Sequence, residues 1–142
     1  MKAATMAYLV SYVATGVVFL ALDGLWLSRM AGALYRPKLG PLLAETVNLP
    51  PAVLFYALYI AGVVVFAVQP ALASGRWTTA LALGALFGLV AYGTYDLTNH
   101  ATLRDWPVIV TVADMAWGTA LTAIAATAGM LVAQRAVGWL NG

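Results

Sequence analysis

The stretch "AYGTYDLTNHATLRDWPVIVTVADMAWG", residues 91–118, separates two long apolar runs and concentrates polar groups between them. The 142-residue chain is 63% hydrophobic and 8% charged, yet this stretch contains three of its five acidic residues and its only histidine. These polar residues either form a plain connecting turn or line a site. The segments on both sides of the stretch decide between the two interpretations.

The composition identifies the solvent in which this chain folds. Soluble domains are roughly 45–50% apolar, and one domain of this length cannot hide so much apolar surface from water. The sequence therefore predicts a single transmembrane domain over residues 1–142, with membrane lipid as its surroundings. The absence of cysteine excludes disulfides, thiolate catalysis and Cys-ligated metal sites. The seven Lys and Arg are scattered, so nothing indicates a nucleic-acid partner.

Four apolar segments are long enough to cross a bilayer, which takes about 20 mostly apolar residues. They cover approximately residues 4–27, 51–69, 77–99 and 107–133. Because lipid offers no partner to unpaired backbone groups, such runs form helices, and the predicted fold class is an all-α, four-helix membrane bundle. In the longer first connection, Pro37 and Pro41 predict a short interfacial helix or a folded loop. Lys and Arg divide too evenly between the two sides to fix the orientation.

Small residues recur at four-residue steps on the last two spans. The third span contains Gly84 and Gly88, and the fourth contains Gly118, Thr122 and Ala126. Such spacing allows helices to approach closely. It favours tight packing within one bundle, and it leaves open a homo-oligomer or a larger membrane complex built on these faces.

The acidic residues and the histidine all belong to one half of an up-and-down bundle. Asp23 is predicted near the exit of the first span, and Asp114 lies roughly 10 Å inside the fourth at 1.5 Å per residue. Carboxylates within a span are costly and usually face a bundle interior or a wet cavity. Grouped carboxylates cannot all stay charged without compensation. The available compensating cations are Arg29, Arg104 and a protonated His100.

Helical spacing places further polar side chains beside these carboxylates. On the third span, Tyr92 and Asp96 share a face with Asn99 and His100, and "LDGLW" and "ADMAW" repeat a D-x-x-W pattern. Tyrosine hydroxyls of the second span could reach the carboxylates or a headgroup. The predicted catalytic candidates are Asp23, Asp96, His100 and Asp114. The predicted ligand-binding residues are Tyr56, Tyr59, Tyr92, Tyr95, Asn99, Trp26, Trp117 and Arg104.

Other roles fit the same residues. Asp96 and His100 could cap the third helix, and Asp105 could cap the fourth. The Asp96-x-x-x-His100 spacing also suits two metal ligands, although a single histidine is sparse for a catalytic metal. A carboxylate pair would suffice for acid–base chemistry, whereas the motifs of serine hydrolases, P-loops and dinucleotide-binding folds are absent. The sequence requires no cofactor and leaves enzymatic activity open.

Several strings in the chain resemble those of a known family. They are "YDLTNHATLRDWP", "DMAWG", "LDGLWL" and "FYALYIAGVVVFAVQPAL". Together they are similar to a family of small bacterial membrane proteins classified only as a domain of unknown function. The resemblance covers the whole chain and implies a four-span protein of the bacterial inner membrane. It implies no activity, cofactor or catalytic residue.

Three functions fit these observations. The first is a protein that binds or acts on an amphipathic, lipid-like molecule at a one-sided polar site within the membrane. The second is an accessory or structural subunit of a membrane complex. The third is a proton-coupled carrier or channel, for which a polar path would have to continue towards Arg76 on the opposite side.

Overall fold

The computed structural model describes residues 2–141, with side chains described for residues 4–138, and this part of the chain contains helices and no strand. The helices are α1 (Lys2–Met30), α2 (Arg36–Leu39), α3 (Leu49–Val63), α4 (Gln69–Ser74), α5 (Trp77–Thr102) and α6 (Val108–Asn141). They form four spans that are long and apolar enough to cross a membrane, Ala4–Leu42, Leu49–Ser74, Trp77–Thr102 and Val108–Gly138. The predicted all-α membrane bundle is confirmed.

Two helices continue past prolines that the sequence predicts to end them. Each proline follows a π-helical segment, Ala31–Tyr35 before Pro37 and Val64–Val68 before Pro70. Proline donates no backbone hydrogen bond, and a single wider π turn lets the helix continue around such a defect. The first span therefore extends through α2 and a 3₁₀ turn to Leu42, and the expected long first loop is reduced to residues 43–48.

The two remaining connections reverse the chain tightly. Gly75 adopts φ +67°, and its N–H donates to the carbonyl of Leu72 while that of Arg76 donates to Ala71. This is a Schellman motif, which needs a residue that tolerates the left-handed conformation. The turn between α5 and α6 likewise contains Asp105 at φ +53°. Both turns make consecutive spans antiparallel neighbours.

The small residues are used inside the bundle, between α5 and α6. A Cβ added at Gly84 would lie 2.9 Å from that of Ala126, and one added at Gly88 would lie 2.7 Å from the Thr122 hydroxyl. Gly118 is covered by the ring of Tyr92. These contacts account for the spacing by packing within one chain, and a homo-oligomer built on the same faces stays a prediction.

Two apolar clusters lie along the antiparallel pair formed by α1 and α6. The larger one, at the middle of the bundle, includes the fully buried Phe19 and Leu121. The smaller one joins the extension of the first span to the start of α6 through Leu34 and Val110. On both helices, the residues between these two clusters include aspartate and tryptophan. Polar side chains are therefore enclosed between two apolar cores.

Candidate functional site

The polar cluster is centred on Asp23, which lies in the middle of the first span. The 39-residue helical segment Ala4–Leu42 places nineteen residues on either side of Asp23, or about 28 Å of helix each way at 1.5 Å per residue. The sequence predicted a position near the exit of a span that ends at residue 27. The helix instead continues through its π-helical segment, and the Asp23 side chain is 6% exposed.

Two neutral donors from other helices hold Asp23. The hydroxyl of Tyr56, on α3, donates to Asp23 Oδ2 at 2.5 Å. The indole N–H of Trp117, on α6, donates to Asp23 Oδ1 at 3.2 Å. Both oxygens therefore have partners, but phenol and indole carry no positive charge. The hydrogen bonds stabilise the carboxylate without neutralising it.

A second carboxylate, Asp114 on α6, is reached by a relay from the first span. Tyr35 donates a hydrogen bond to Asp114 Oδ1, and the Trp26 indole donates to the Tyr35 hydroxyl at 2.9 Å. The ring of Trp26 also stacks on that of Trp117, with centroids 4.5 Å apart and planes 6° from parallel. The stacked pair joins the environments of the two aspartates.

The two D-x-x-W strings are linked by hydrogen bonds across the α1–α6 interface. The tryptophan of "ADMAW" donates to the aspartate of "LDGLW". The tryptophan of "LDGLW" acts on the aspartate of "ADMAW" through Tyr35. The antiparallel arrangement of α1 and α6 explains this exchange, because it brings each tryptophan beside the other helix's aspartate.

The third carboxylate, Asp96 on α5, differs from the other two. Its side chain is 0% exposed, and neither of its oxygens has a hydrogen-bond partner among the described residues. It lies one turn beyond Tyr92, whose ring covers Gly118, and Asp114 lies one turn before Gly118, so the antiparallel helices α5 and α6 bring Asp96 and Asp114 to the same level. The stacked tryptophans join Asp114 to Asp23 in turn. We call Asp23, Asp96 and Asp114 the carboxylate cluster. Only Asp96 enters it with both oxygens free.

Aromatic residues form the inner boundary of this cluster. The Tyr59 hydroxyl is 2.7 Å from that of Thr122, which donates in turn to the backbone carbonyl of Gly118. The Tyr59 ring packs against Phe19 and Tyr92, with centroids 5.1 and 6.3 Å apart. These contacts separate the carboxylate cluster from the other half of the bundle.

The predicted residues at the rim lie outside the hydrogen-bonded part of the site. His100 and Arg104 are exposed, at the end of α5 and in the following turn, and Asn99 is half-buried. Tyr95 is 57% exposed, and its ring packs edge-on against Trp106. The structure therefore brings together the three aspartates, Tyr56, Tyr59, Tyr92, Trp26 and Trp117 from the predicted set. A binding role for the four rim residues stays a prediction.

The two residues that the sequence predicts as weak metal-ligand candidates lie in different environments. Asp96 is buried, whereas His100, its predicted co-ligand, is exposed. Across the described residues, no three His, Cys, Asp or Glu side chains are grouped in a way that could hold a metal ion. What the site offers is a set of hydrogen-bond acceptors with neutral donors around them.

Sequence reasoning misses Tyr35 and the burial of Gln69, while Ser11 and Thr15 are recognisable from the sequence as polar groups of the opposite half. Tyr35 lies in the first connection, where the sequence predicts a short interfacial helix or a folded loop and no periodicity indicates the direction of a side chain. In the opposite half, the hydroxyls of Ser11 and Thr15 and the amide nitrogen of Gln69 are buried without partners among the described residues. Ser11, Thr15, Phe19 and Asp23 follow at four-residue steps on one face of α1, a pattern that was readable in the sequence.

Comparison with known proteins places the chain in a family. Residues 8–131 match the family described as "Predicted membrane protein (DUF2177)". The match covers most of the chain, so the chain belongs to this family, as the resemblance predicted. No curated protein and no solved structure matches it. The family description and the four spans together identify a multi-pass membrane protein, and the description assigns no activity.

Proposed function

We propose that this protein binds the polar end of an amphipathic, lipid-like molecule at the carboxylate cluster, within the bacterial inner membrane. The observation that carries the proposal is Asp96, which is fully buried with two unpartnered oxygens. A buried acceptor without a partner costs about 1–3 kcal/mol, and more when it is charged. A fold retains such a group when a ligand supplies the missing partner.

The surroundings of Asp96 support a ligand that arrives from the lipid. Its neighbours in sequence, Tyr95 and Leu97, are 57% and 52% exposed and face outwards from α5. In a bundle surrounded by acyl chains, these two flanking side chains would contact lipid, which supports an approach to Asp96 from that side. An amphipathic molecule could keep its chain on this surface while its head reaches the cluster.

The two alternative functions have weaker support. A proton-coupled path would have to join Asp23 to the unpartnered Thr15 and Ser11, but the fully buried ring of Phe19 lies between them on the same helix face. An accessory role in a complex would use exposed small-residue faces, and Gly84 and Gly88 are covered by α6. Both functions remain secondary proposals.

The test compares the lipids that co-purify with three forms of the protein. Wild type, Asp96→Asn and Asp105→Asn are purified in mild detergent and examined by native mass spectrometry and lipid extraction. Asp105→Asn is the matched control, since it removes the same charge from an exposed position whose left-handed backbone asparagine tolerates. Wild type and the control should retain the same amphiphile, and Asp96→Asn should lose it. Identical lipids in all three forms would contradict the proposal.

A further inference from the structure

We propose that the carboxylate cluster selects a primary ammonium group as the head of its ligand. This inference rests on the proposed function and specifies the chemistry of the molecule that it binds. The starting point is the balance of charge. The antiparallel packing of α5 on α6 brings Asp96 to the level of Asp114, and the stacked Trp26 and Trp117 join Asp114 to Asp23. The donors to Asp23 and Asp114 are the neutral groups of Tyr56, Trp117 and Tyr35.

The cations that could neutralise the cluster lie elsewhere. The side chains of Arg29 and Arg104, which the sequence offered as compensators, are both exposed, as is His100. An anionic head, such as a phosphate, would bring further negative charge to a group of carboxyls that has no cation beside it. The group that enters must therefore supply positive charge, hydrogen-bond donors, or both. A primary ammonium group supplies one charge and three donors.

The hydrogen bonds that each aspartate already accepts favour a ligand head with N–H donors over one that carries positive charge alone. Asp23 already accepts two hydrogen bonds, and Asp114 accepts one from Tyr35. Asp96 accepts none from the described part of the chain. A charge-assisted hydrogen bond to its free oxygens requires a donor proton, which a quaternary ammonium group lacks.

The aromatic residues do not form the kind of site that quaternary ammonium groups prefer. Such groups bind between open aromatic faces. Here the rings of Trp26 and Trp117 are stacked on each other at 4.5 Å, so each covers a face of the other. The ring of Tyr92 packs over Gly118. The cluster presents carboxylate oxygens instead of an aromatic cage, and among the described residues no three His, Cys, Asp or Glu side chains converge closely enough to hold a metal ion.

The experiment measures preference among lipids that differ only in their heads. Delipidated wild type, Asp96→Asn and Asp105→Asn are placed in nanodiscs with equal amounts of dioleoyl phosphatidylethanolamine, phosphatidylcholine and phosphatidylglycerol. Bound lipid is then counted by native mass spectrometry. Ethanolamine and choline differ by three N-methyl groups, which remove the donors and keep the charge. We expect wild type and Asp105→Asn to retain ethanolamine lipid about tenfold over choline lipid, a difference of about 1.4 kcal/mol, because only ethanolamine donates hydrogen bonds to the free Asp96 oxygens. In Asp96→Asn the ratio should fall to about one.

The outcomes separate this inference from the proposed function. Equal retention of ethanolamine and choline lipids that still depends on Asp96 would overturn the ammonium inference and leave the proposed function standing. Lipid retention that is the same with and without Asp96 would overturn both. A further arm adds free ethanolamine to the delipidated protein. Asp96-dependent binding of free ethanolamine, with no preference among lipids, would support the ammonium chemistry and overturn the lipid ligand.

Discussion

Replacement of Asp96 by asparagine should make the delipidated protein more stable, an unusual sign for a change at a fully buried residue. The carboxylate is 0% exposed and both of its oxygens lack partners among the described residues. Leaving such a group unsatisfied costs about 1–3 kcal/mol, and more with charge. Asparagine has nearly the same shape and no charge, but its amide also lacks partners. We therefore expect a gain at the lower end, about 1–2 kcal/mol.

That gain converts into a measurable thermal shift. For a chain of about this size, 1 kcal/mol of stability corresponds to about 2–4 °C in Tm. The Tm of Asp96→Asn should therefore be about 2–8 °C higher than that of wild type. The measurement is tryptophan fluorescence during heating, in detergent, after lipid removal. Added ethanolamine lipid should raise the Tm of wild type and leave that of Asp96→Asn unchanged, because binding to the native state stabilises it.

The same substitution at Asp23 should change stability in the opposite direction and lower the Tm. Both oxygens of Asp23 accept hydrogen bonds, from Tyr56 and Trp117. An asparagine has only one acceptor oxygen and would turn its NH₂ group towards one of these donors. We expect a loss of about 1–3 kcal/mol and a lower Tm. If Asp96→Asn lowers Tm as much as Asp23→Asn does, Asp96 has structural partners and the reasoning from its free oxygens is wrong.

Two further predictions concern packing and buried hydroxyls, measured by the same thermal assay. Gly88→Ala should lower the free energy of unfolding by about 1–3 kcal/mol relative to Gly24→Ala. A Cβ at residue 88 would lie 2.7 Å from the Thr122 hydroxyl, whereas a Cβ at Gly24 would have no atom within 4 Å. Equal effects of the two substitutions would contradict the close packing of α5 on α6. Thr15→Val should raise Tm slightly, since the Thr15 hydroxyl is buried and unpartnered, whereas Thr122→Val should lower it by leaving the Tyr59 hydroxyl unpaired. A lower Tm for Thr15→Val would indicate a bridging water at Thr15.

The sequence predicts the membrane bundle because hydrophobic length alone identifies a spanning helix. It fails where local geometry changes the period of the helix. Trp26 and Tyr35 are nine residues apart, or about 2.5 turns of an α-helix, which would put them on opposite sides. The π-helical segment Ala31–Tyr35 underwinds the helix and lets the two side chains meet. No apolar periodicity reveals such a segment, although the following Pro37 is a signal of it.

Helical spacing predicts which face a residue occupies and not whether a neighbour covers that face. Asp96 and His100 are four residues apart on α5, so they point in similar directions. Asp96 is fully buried, and His100 is exposed. His100 lies in the last turn of α5, which ends at Thr102, whereas Asp96 lies one turn further in. The positions of the aspartates along the spans therefore predict which of them lie together, but helical spacing does not predict where the site ends.

The helices of the site differ in whether their aspartates already accept hydrogen bonds. Across the α1–α6 interface, the donors to Asp23 and Asp114 and the stacked Trp26 and Trp117 are fixed by one another. The two helices therefore hold this pair of aspartates in place without a contribution from α5. Helix α5 contributes Asp96, the one member of the cluster whose oxygens both remain free. A ligand bound there would gain its strongest hydrogen bonds from α5 and its electrostatic attraction from all three aspartates. For this reason removal of the Asp96 carboxylate should abolish selectivity, while removal of Tyr35 or Tyr56 should weaken the fold first.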